Sequence, residues 1–186
     1  MKRQINRLSK ELYLGGYWYF VTICVYDMKC IFVESATPPT YIEDVYKFKL
    51  NNIGNIVEST WLDIPKYYSN IKLDRYVIMP NHFHGIIGID KNSYSLATSK
   101  KVSLGDIVSS FKQISLRNVK KYNNNNVGEV ADSTKNIINK YNTFWQKSFY
   151  DHIIRNETDL LRIQNYITNN PINWQLDSLH PDNWPK

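Results

Sequence analysis

The sequence predicts an α+β fold, and three patterns in its first half carry this prediction. Aromatic and β-branched residues alternate with others over 17–26, which is typical of a half-buried strand. Apolar residues at helical spacing then predict a helix over 50–63. Two apolar runs over 72–79 and 82–89, separated by Pro80-Asn81, predict a pair of strands joined by a turn.

The second half of the chain predicts two more helices and a short strand. Ser103 is a candidate N-cap with Asp106 in the first turn, and apolar residues continue at helical spacing to about Lys121. A strand over 149–155 leads into a helix capped by Asn156. Strands and helices therefore mix along the whole chain.

The segment 122–142 lacks any clear periodicity. It is polar and contains the run Asn123-Asn124-Asn125-Asn126, so we predict a long flexible loop that is either functional or an insertion. The length of 186 residues and the 42% hydrophobic content fit one domain over 1–186 with a packed core.

Composition limits the class of protein. No apolar run reaches the roughly 18 residues of a membrane span, and no apolar region of an export signal follows the basic N-terminus. Two cysteines are too few for a disulfide framework, so we expect a soluble, cytoplasmic protein with no membrane partner. The net charge of +6 favours a polyanionic partner, although charge alone is weak support for nucleic-acid binding.

A pair of histidines in the second strand of the hairpin is the strongest chemical signal. His82 and His84 leave the same face of an extended segment, while Phe83 points to the other. Such a pair arises by chance on half-exposed strands. Here the flanking residues are strongly apolar, so polar rings without partners would cost about 1 to 3 kcal/mol each. Two neutral imidazoles on one rigid face are the start of a metal site.

Two helices carry further candidate residues. The polar face of the helix from Ser103 has cations that contact a phosphate backbone or form an ordinary solvated face. In the last helix, Tyr166 and Asn170 lie four residues apart, on the same side. Tyr166 is either part of a site or an amphipathic edge residue. The four cations are Lys112, Arg117, Lys120 and Lys121.

Five segments in order resemble the single-tyrosine transposases of the HUH type, in particular the REP-associated tyrosine transposases related to the IS200/IS605 transposases. The resemblance spans roughly residues 13 to 175. The segments are 19–24, 76–85, 103–112 with Ser110-Phe111-Lys112, 145–155 with Trp145-Gln146, and 166–171 with Tyr166-Ile167 and Asn170-Pro171.

This resemblance implies a fold and a chemistry. The fold is a ferredoxin-like sandwich whose central antiparallel sheet carries the His-x-His motif, with a late helix that brings the catalytic tyrosine across it. By resemblance, His82, His84 and Asn170 are metal ligands for Mg²⁺ or Mn²⁺, and Tyr166 is the nucleophile. The implied reaction is nicking and strand transfer, in DNA transposition and recombination, through a 5′-phosphotyrosine intermediate. The implied partner is single-stranded or hairpin DNA.

Other functions remain open at this point. A relative could bind hairpin DNA without cutting it, and a nuclease could use the same ion to activate water instead of a tyrosine. Tyr150, beside Asp151 and His152, is a rival phenol, but it lies in a predicted strand. A homodimer is compatible with the sequence, as is a monomer.

Overall fold

The order of the strands determines where the functional side chains lie. The computed structural model describes residues 13–34, 39–42, 45–125 and 132–184. In chain order the elements are β1 (Tyr17–Cys24), β2 (Thr40–Ile42), β3 (Val45–Lys47), α1 (Asn52–Leu62), β4 (Ile71–Ile78), β5 (His82–Ile89), α2 (Leu104–Asn125), α3 (Asp132–Tyr141), β6 (Tyr150–Ile154) and α4 (Glu157–Asn169).

The main sheet is antiparallel throughout and has the order β4-β5-β1-β6, while β2 and β3 form a separate hairpin. Helix α1 connects the first two strands of the main sheet, and α2 and α3 connect the last two. This is the ferredoxin-like β-α-β-β-α-β arrangement. The α+β, ferredoxin-like prediction is therefore confirmed.

Helices α1 and α2 cover one face of the sheet. Phe83, on β5, packs against Trp61 of α1 and Phe111 of α2, with ring centroids 4.6 and 5.4 Å apart. All three side chains are buried. Because side chains alternate along a strand, His82 and His84 point to the opposite face.

Helix α4 covers that opposite face. Its apolar residues Ile163 and Ile167 form a cluster with Phe20 of β1, Ile86 of β5 and Ile154 of β6. The helix is thus held by the apolar half of a sheet face whose other half carries the two histidines. Register places Thr22 of β1 directly opposite His84.

The predicted helix starts are confirmed by their capping contacts. The Ser103 hydroxyl accepts a hydrogen bond from the Asp106 amide at 3.2 Å, and the Asp106 carboxylate accepts one from the Ser103 amide at 2.9 Å. Asn156 accepts from the Asp159 amide at 2.8 Å and so caps α4. These reciprocal contacts satisfy amide groups that a helix start leaves without partners.

The prediction of a flexible loop over 122–142 is wrong for most of that segment, which is helical. Helix α2 continues to Asn125, and α3 occupies Asp132–Tyr141; residues 126–131 lie outside the described part. Tertiary contacts explain the difference. The Tyr122 hydroxyl accepts a hydrogen bond from Asn52 of α1 at 2.6 Å, and the Tyr141 ring stacks on Tyr26 at 4.3 Å.

The predicted exposed position of Lys112 on α2 is also wrong. Its ammonium donates to the backbone carbonyls of Gln146, Lys147 and Ser148 at 2.9, 3.3 and 3.0 Å. Burial lowers the pKa of Lys112 to about 8. The side chain therefore joins α2 to the segment before β6. Within the described residues, no helix is both long and apolar enough to cross a membrane.

Candidate metal and tyrosine site

The two histidine rings of β5 meet at their outer nitrogens. His82 and His84 are buried, with exposed fractions of 0% and 2%, and their Nε2 atoms lie 3.0 Å apart. This separation is close enough for both nitrogens to bind one ion. The strand geometry predicted from the sequence is therefore present, and both rings lie on the face covered by α4.

A hydrogen-bond network orients the His82 ring. Asn81 is fully buried and donates from Nδ2 to the carbonyls of Met28 and Leu179 at 3.0 and 2.8 Å. Its Oδ1 is therefore an acceptor, and His82 Nδ1 donates to it at 2.7 Å. The neutral His82 ring then has its lone pair on Nε2, the nitrogen that faces His84. This is the usual orientation of a metal-binding imidazole.

Thr22 holds the second ring, with its Oγ1 2.8 Å from His84 Nδ1. Burial lowers the pKa of His84 to about 3. Burial, and then the nearby His84 ring, lowers the pKa of His82 well below its ordinary value. Both imidazoles are consequently neutral near pH 7, the state in which they bind metals.

Helix α4 brings Tyr166 over the histidine pair. The Tyr166 hydroxyl lies 3.3 Å from His84 Nε2, and its ring packs edge-on against Phe20 at 5.9 Å. The residue is 44% exposed, so Tyr166 is not enclosed in the core. The structure thus places Tyr166, which the resemblance assigned as nucleophile, in contact with a proposed metal ligand.

Asn170 ends α4 one turn after Tyr166. It is the C-cap residue and is 4% exposed, and its Oδ1 is buried without a hydrogen-bond partner. Asn170 and Tyr166 line the same open groove of about 620 Å³. A buried amide oxygen without a partner costs about 1 to 3 kcal/mol, which a cation would offset.

Asp177 is a further candidate ligand at this site, and no pattern in the sequence singles it out. Its Oδ2 lies 3.8 Å from His82 Nε2, and that oxygen is buried with no hydrogen-bond partner. Since His82 is neutral, the pair is not an ion pair. His82, His84 and Asp177 form a group whose ligand atoms lie within 4.8 Å of one another and could hold a metal ion. The donors, two nitrogens and buried oxygens, fit a divalent cation.

The segment after α4 seats Asp177. The Leu179 amide donates to Asp177 Oδ1 at 2.7 Å, and the Leu179 carbonyl accepts from Asn81. The Trp174 ring lies 5.9 Å from the His82 ring. No local pattern separates Asp177 from the exposed Asp182 in the same segment. Only long-range contacts do so.

The predicted basic residues of α2 lie elsewhere. Helix α2 packs on the sheet face opposite the histidines, so Arg117, Lys120 and Lys121 are not brought together with Tyr166. Lys120 donates to Asn142 Oδ1 at 2.6 Å. Tyr150, the rival phenol, is 48% exposed on β6, and its ring lies 6.4 Å from Phe20.

Comparison with known proteins identifies relatives of this chain. An uncharacterized protein of Haemophilus influenzae is 32% identical over 193 residues, which cover 97% of this chain and 94% of that protein. No family model matches the sequence.

Among solved structures, a REP-associated tyrosine transposase bound to a REP hairpin has a similar fold, with a TM-score of 0.52 and 14% sequence identity. The similarity covers 98% of this chain and 79% of the transposase chain. A comparison with a candidate transposase from Deinococcus radiodurans gives a TM-score of 0.39 and 13% sequence identity, and it covers 91% of this chain and 97% of that chain. The chain belongs to one family with the Haemophilus influenzae protein, and it has the fold of the HUH single-tyrosine transposases.

Proposed function

We propose that this protein is a metal-dependent enzyme that nicks and rejoins single-stranded DNA through a covalent bond to Tyr166. The observation that carries the proposal is the 3.3 Å contact between the Tyr166 hydroxyl and His84 Nε2. It joins an exposed phenol to a buried pair of neutral imidazoles. A tyrosine with a purely structural role at a helix edge has no need of such a partner.

The chain supplies the ligands for one divalent cation. His82, His84 and Asp177 would hold it, and the unpartnered Oδ1 of Asn170 supports a fourth contact. When bound, Mg²⁺ or Mn²⁺ would polarise the scissile phosphate and stabilise the charge that develops on its oxygens. Oxygen ligands from Asp177 and Asn170 suit these hard cations better than imidazoles alone.

Tyr166 would perform the covalent step. Its phenolic oxygen attacks phosphorus, a new P–O bond forms, and the bond from phosphorus to the 3′ oxygen breaks. The products are a 5′-phosphotyrosine and a free 3′-hydroxyl, so the proton lost by the phenol is balanced by the one gained by the leaving oxygen. Because the number of phosphoester bonds is unchanged, a 3′-hydroxyl can reverse the step and rejoin a strand.

The substrate class is single-stranded DNA that carries a foldback hairpin. The groove at Tyr166 is open along α4, which gives an extended strand access to the phenol. The structurally similar REP-associated transposase is bound to a REP hairpin, and this supports a hairpin ligand for the present chain. The net charge of +6 suits a polyanionic ligand.

A covalent adduct assay tests the proposal. The wild-type protein, incubated with Mn²⁺ and hairpin oligonucleotides that have single-stranded flanks, should form a protein–DNA adduct that survives denaturing electrophoresis. Tyr166→Phe should abolish the adduct and leave hairpin affinity within a few-fold, because one hydroxyl adds little to binding by many charges. Tyr150→Phe is the matched control and should retain the adduct.

Three other outcomes would each replace the proposal. DNA cleavage without an adduct in the wild type indicates an enzyme that activates water at the metal. Tight hairpin binding without cleavage, unaffected by His84→Ala, indicates a binding protein. An adduct mapped by peptide mass spectrometry to Tyr150 would reassign the nucleophile.

A further inference from the structure

The groove at Tyr166 has an unusual balance of charge. Two charged residues line it, Asp177 and Arg162, and Arg162 is the single Lys or Arg among the described residues that do so. The other lining side chains are neutral, and most of them are asparagines. A phosphodiester strand that enters this groove meets the carboxylate of Asp177. Beyond a bound ion, Arg162 is therefore the positive charge available to the strand inside the groove.

Arg162 also borders a second groove. This groove, of about 570 Å³, lies over the start of α4, and its charged or titratable lining residues are Arg162, Arg155, His152 and Asp159. Arg162 precedes Tyr166 by one helical turn, so the two side chains lie on the same side of α4. It consequently stands at the junction between the nucleophile's groove and a second, more basic one.

A carboxylate orients the Arg162 side chain. Its Nη2 donates to Asp159 Oδ1 at 2.6 Å, and Asp159 Oδ2 lies 2.7 Å from His152 Nε2. The side chain is still 66% exposed. A guanidinium has five N–H donors in a rigid fork, so one contact with Asp159 leaves donors for a phosphate. The ion pair reduces the conformational freedom that the side chain would lose on binding.

We propose that Arg162 binds the DNA backbone phosphate next to the one attacked by Tyr166, and that the strand continues past Arg162 into the groove bordered by Arg155. This inference rests on the proposed function, since it names how the strand is held at that same site. Arg162 is a positioning residue for the strand. It has no part in forming or breaking the phosphoester bond.

Binding measured at several salt concentrations tests the role of Arg162. The probe is a hairpin oligonucleotide with single-stranded flanks, and fluorescence anisotropy gives its affinity. Arg162→Gln retains a donor for Asp159 but loses the charge, so it should weaken binding about tenfold. The slope of log affinity against log salt should become shallower by about 0.7, the value for one single-strand phosphate. Arg162→Lys should restore the slope and part of the affinity.

Lys66→Gln is the matched control. Lys66 forms the same type of pair, with Asp63 three residues before it and an N–O distance of 2.6 Å. It lines neither groove. Both variants lose one positive charge, and only Arg162→Gln should change the salt slope. Calorimetric binding of Mn²⁺ should be the same in wild type and Arg162→Gln, because Arg162 is not a ligand.

The outcomes separate this inference from the proposed function. If the wild type forms the covalent adduct but Arg162→Gln binds DNA like Lys66→Gln, the role of Arg162 is wrong and the proposed function stands. If the wild type neither binds the probe nor forms an adduct, both are wrong. A loss of Mn²⁺ binding in Arg162→Gln would show a structural role instead.

Discussion

Two buried oxygen atoms without hydrogen bonds, on Asn170 and Asp177, distinguish the candidate site at the scale of single residues. Buried hydrogen-bond acceptors almost always have partners, because a buried acceptor without one costs about 1 to 3 kcal/mol. Both residues line the groove at Tyr166, and Asp177 also approaches His82. The cost is understandable if a cation is the missing partner.

Asp177→Asn should weaken Mn²⁺ binding about tenfold or more, since even partners outside the ligand shell contribute that much. The variant keeps the side-chain volume but removes the charge. Calorimetric titration measures the affinity. Asp182→Asn is the control, because the Asp182 side chain is 88% exposed. Equal Mn²⁺ affinity in Asp177→Asn and wild type would exclude Asp177 as a ligand.

A glycine on β5 permits the close packing of α1 on the sheet. A Cβ atom at Gly85 would lie 2.7 Å from atoms of both the Phe83 and Trp61 rings. Gly85→Ala should therefore lower the free energy of unfolding by about 1 to 3 kcal/mol through overpacking. Urea denaturation measures this change.

Gly105→Ala is the control for that variant, because its added Cβ would meet only the Ser103 hydroxyl at 3.6 Å. In the first turn of α2 we expect it to be neutral or slightly stabilising. A Gly85→Ala protein with the wild-type unfolding midpoint would show that the two rings can move aside at no cost.

At the scale of elements, the carboxylate of Asp159 in the first turn of α4 contacts His152 of β6 and Arg162 of α4. His152, through its hydrogen bond, and then Arg162 hold the pKa of Asp159 below its ordinary value. The same carboxylate thus links β6 to α4 and orients Arg162. A depressed pKa means that the folded state favours the ionised carboxylate.

Asp159→Asn should remove a stabilisation that depends on pH. Because the folded pKa is depressed, the contribution is fully present above the unfolded pKa of about 3.9 and is lost as pH falls through the folded pKa. The difference in unfolding free energy between wild type and Asp159→Asn should be largest near neutral pH and shrink below about pH 4. Urea denaturation across this range measures it, and a constant difference would contradict the assignment.

At the scale of the whole molecule, positive charge occurs on both sides of the sheet. Arg162 lines the groove at Tyr166 and Arg155 lines the neighbouring groove, whereas Arg117, Lys120 and Lys121 belong to α2 on the opposite face. A single strand at Tyr166 does not need the α2 cations. The wider stem of a hairpin offers phosphates farther from the site.

We expect replacement of Arg117, Lys120 and Lys121 together by Gln to weaken binding of a hairpin more than binding of an unstructured strand. Each lost contact to a duplex phosphate should reduce the salt slope by about 0.9. Anisotropy titrations of both probes at several salt concentrations measure this. Equal effects on the two probes, or none, would remove α2 from the DNA-binding surface.

The sequence by itself determined the local features. Alternation predicted β1 and the two strands of the hairpin, and the i, i+2 rule placed His82 and His84 on one face. Capping residues predicted the starts of α2 and α4, and a four-residue spacing placed Tyr166 and Asn170 on one side of α4. These features depend on backbone geometry within a few residues, so they can be read from short segments.

Tertiary structure decided the rest. Helix α3 forms because Ile137 and Ile138 are buried against the core, which outweighs a weak local pattern. Lys112 turns inward because it donates to three carbonyls that are distant in the chain, and Asp177 reaches the histidines because Asn81 anchors Leu179. Such contacts join residues far apart in the chain, and their free energy appears only when the elements pack together.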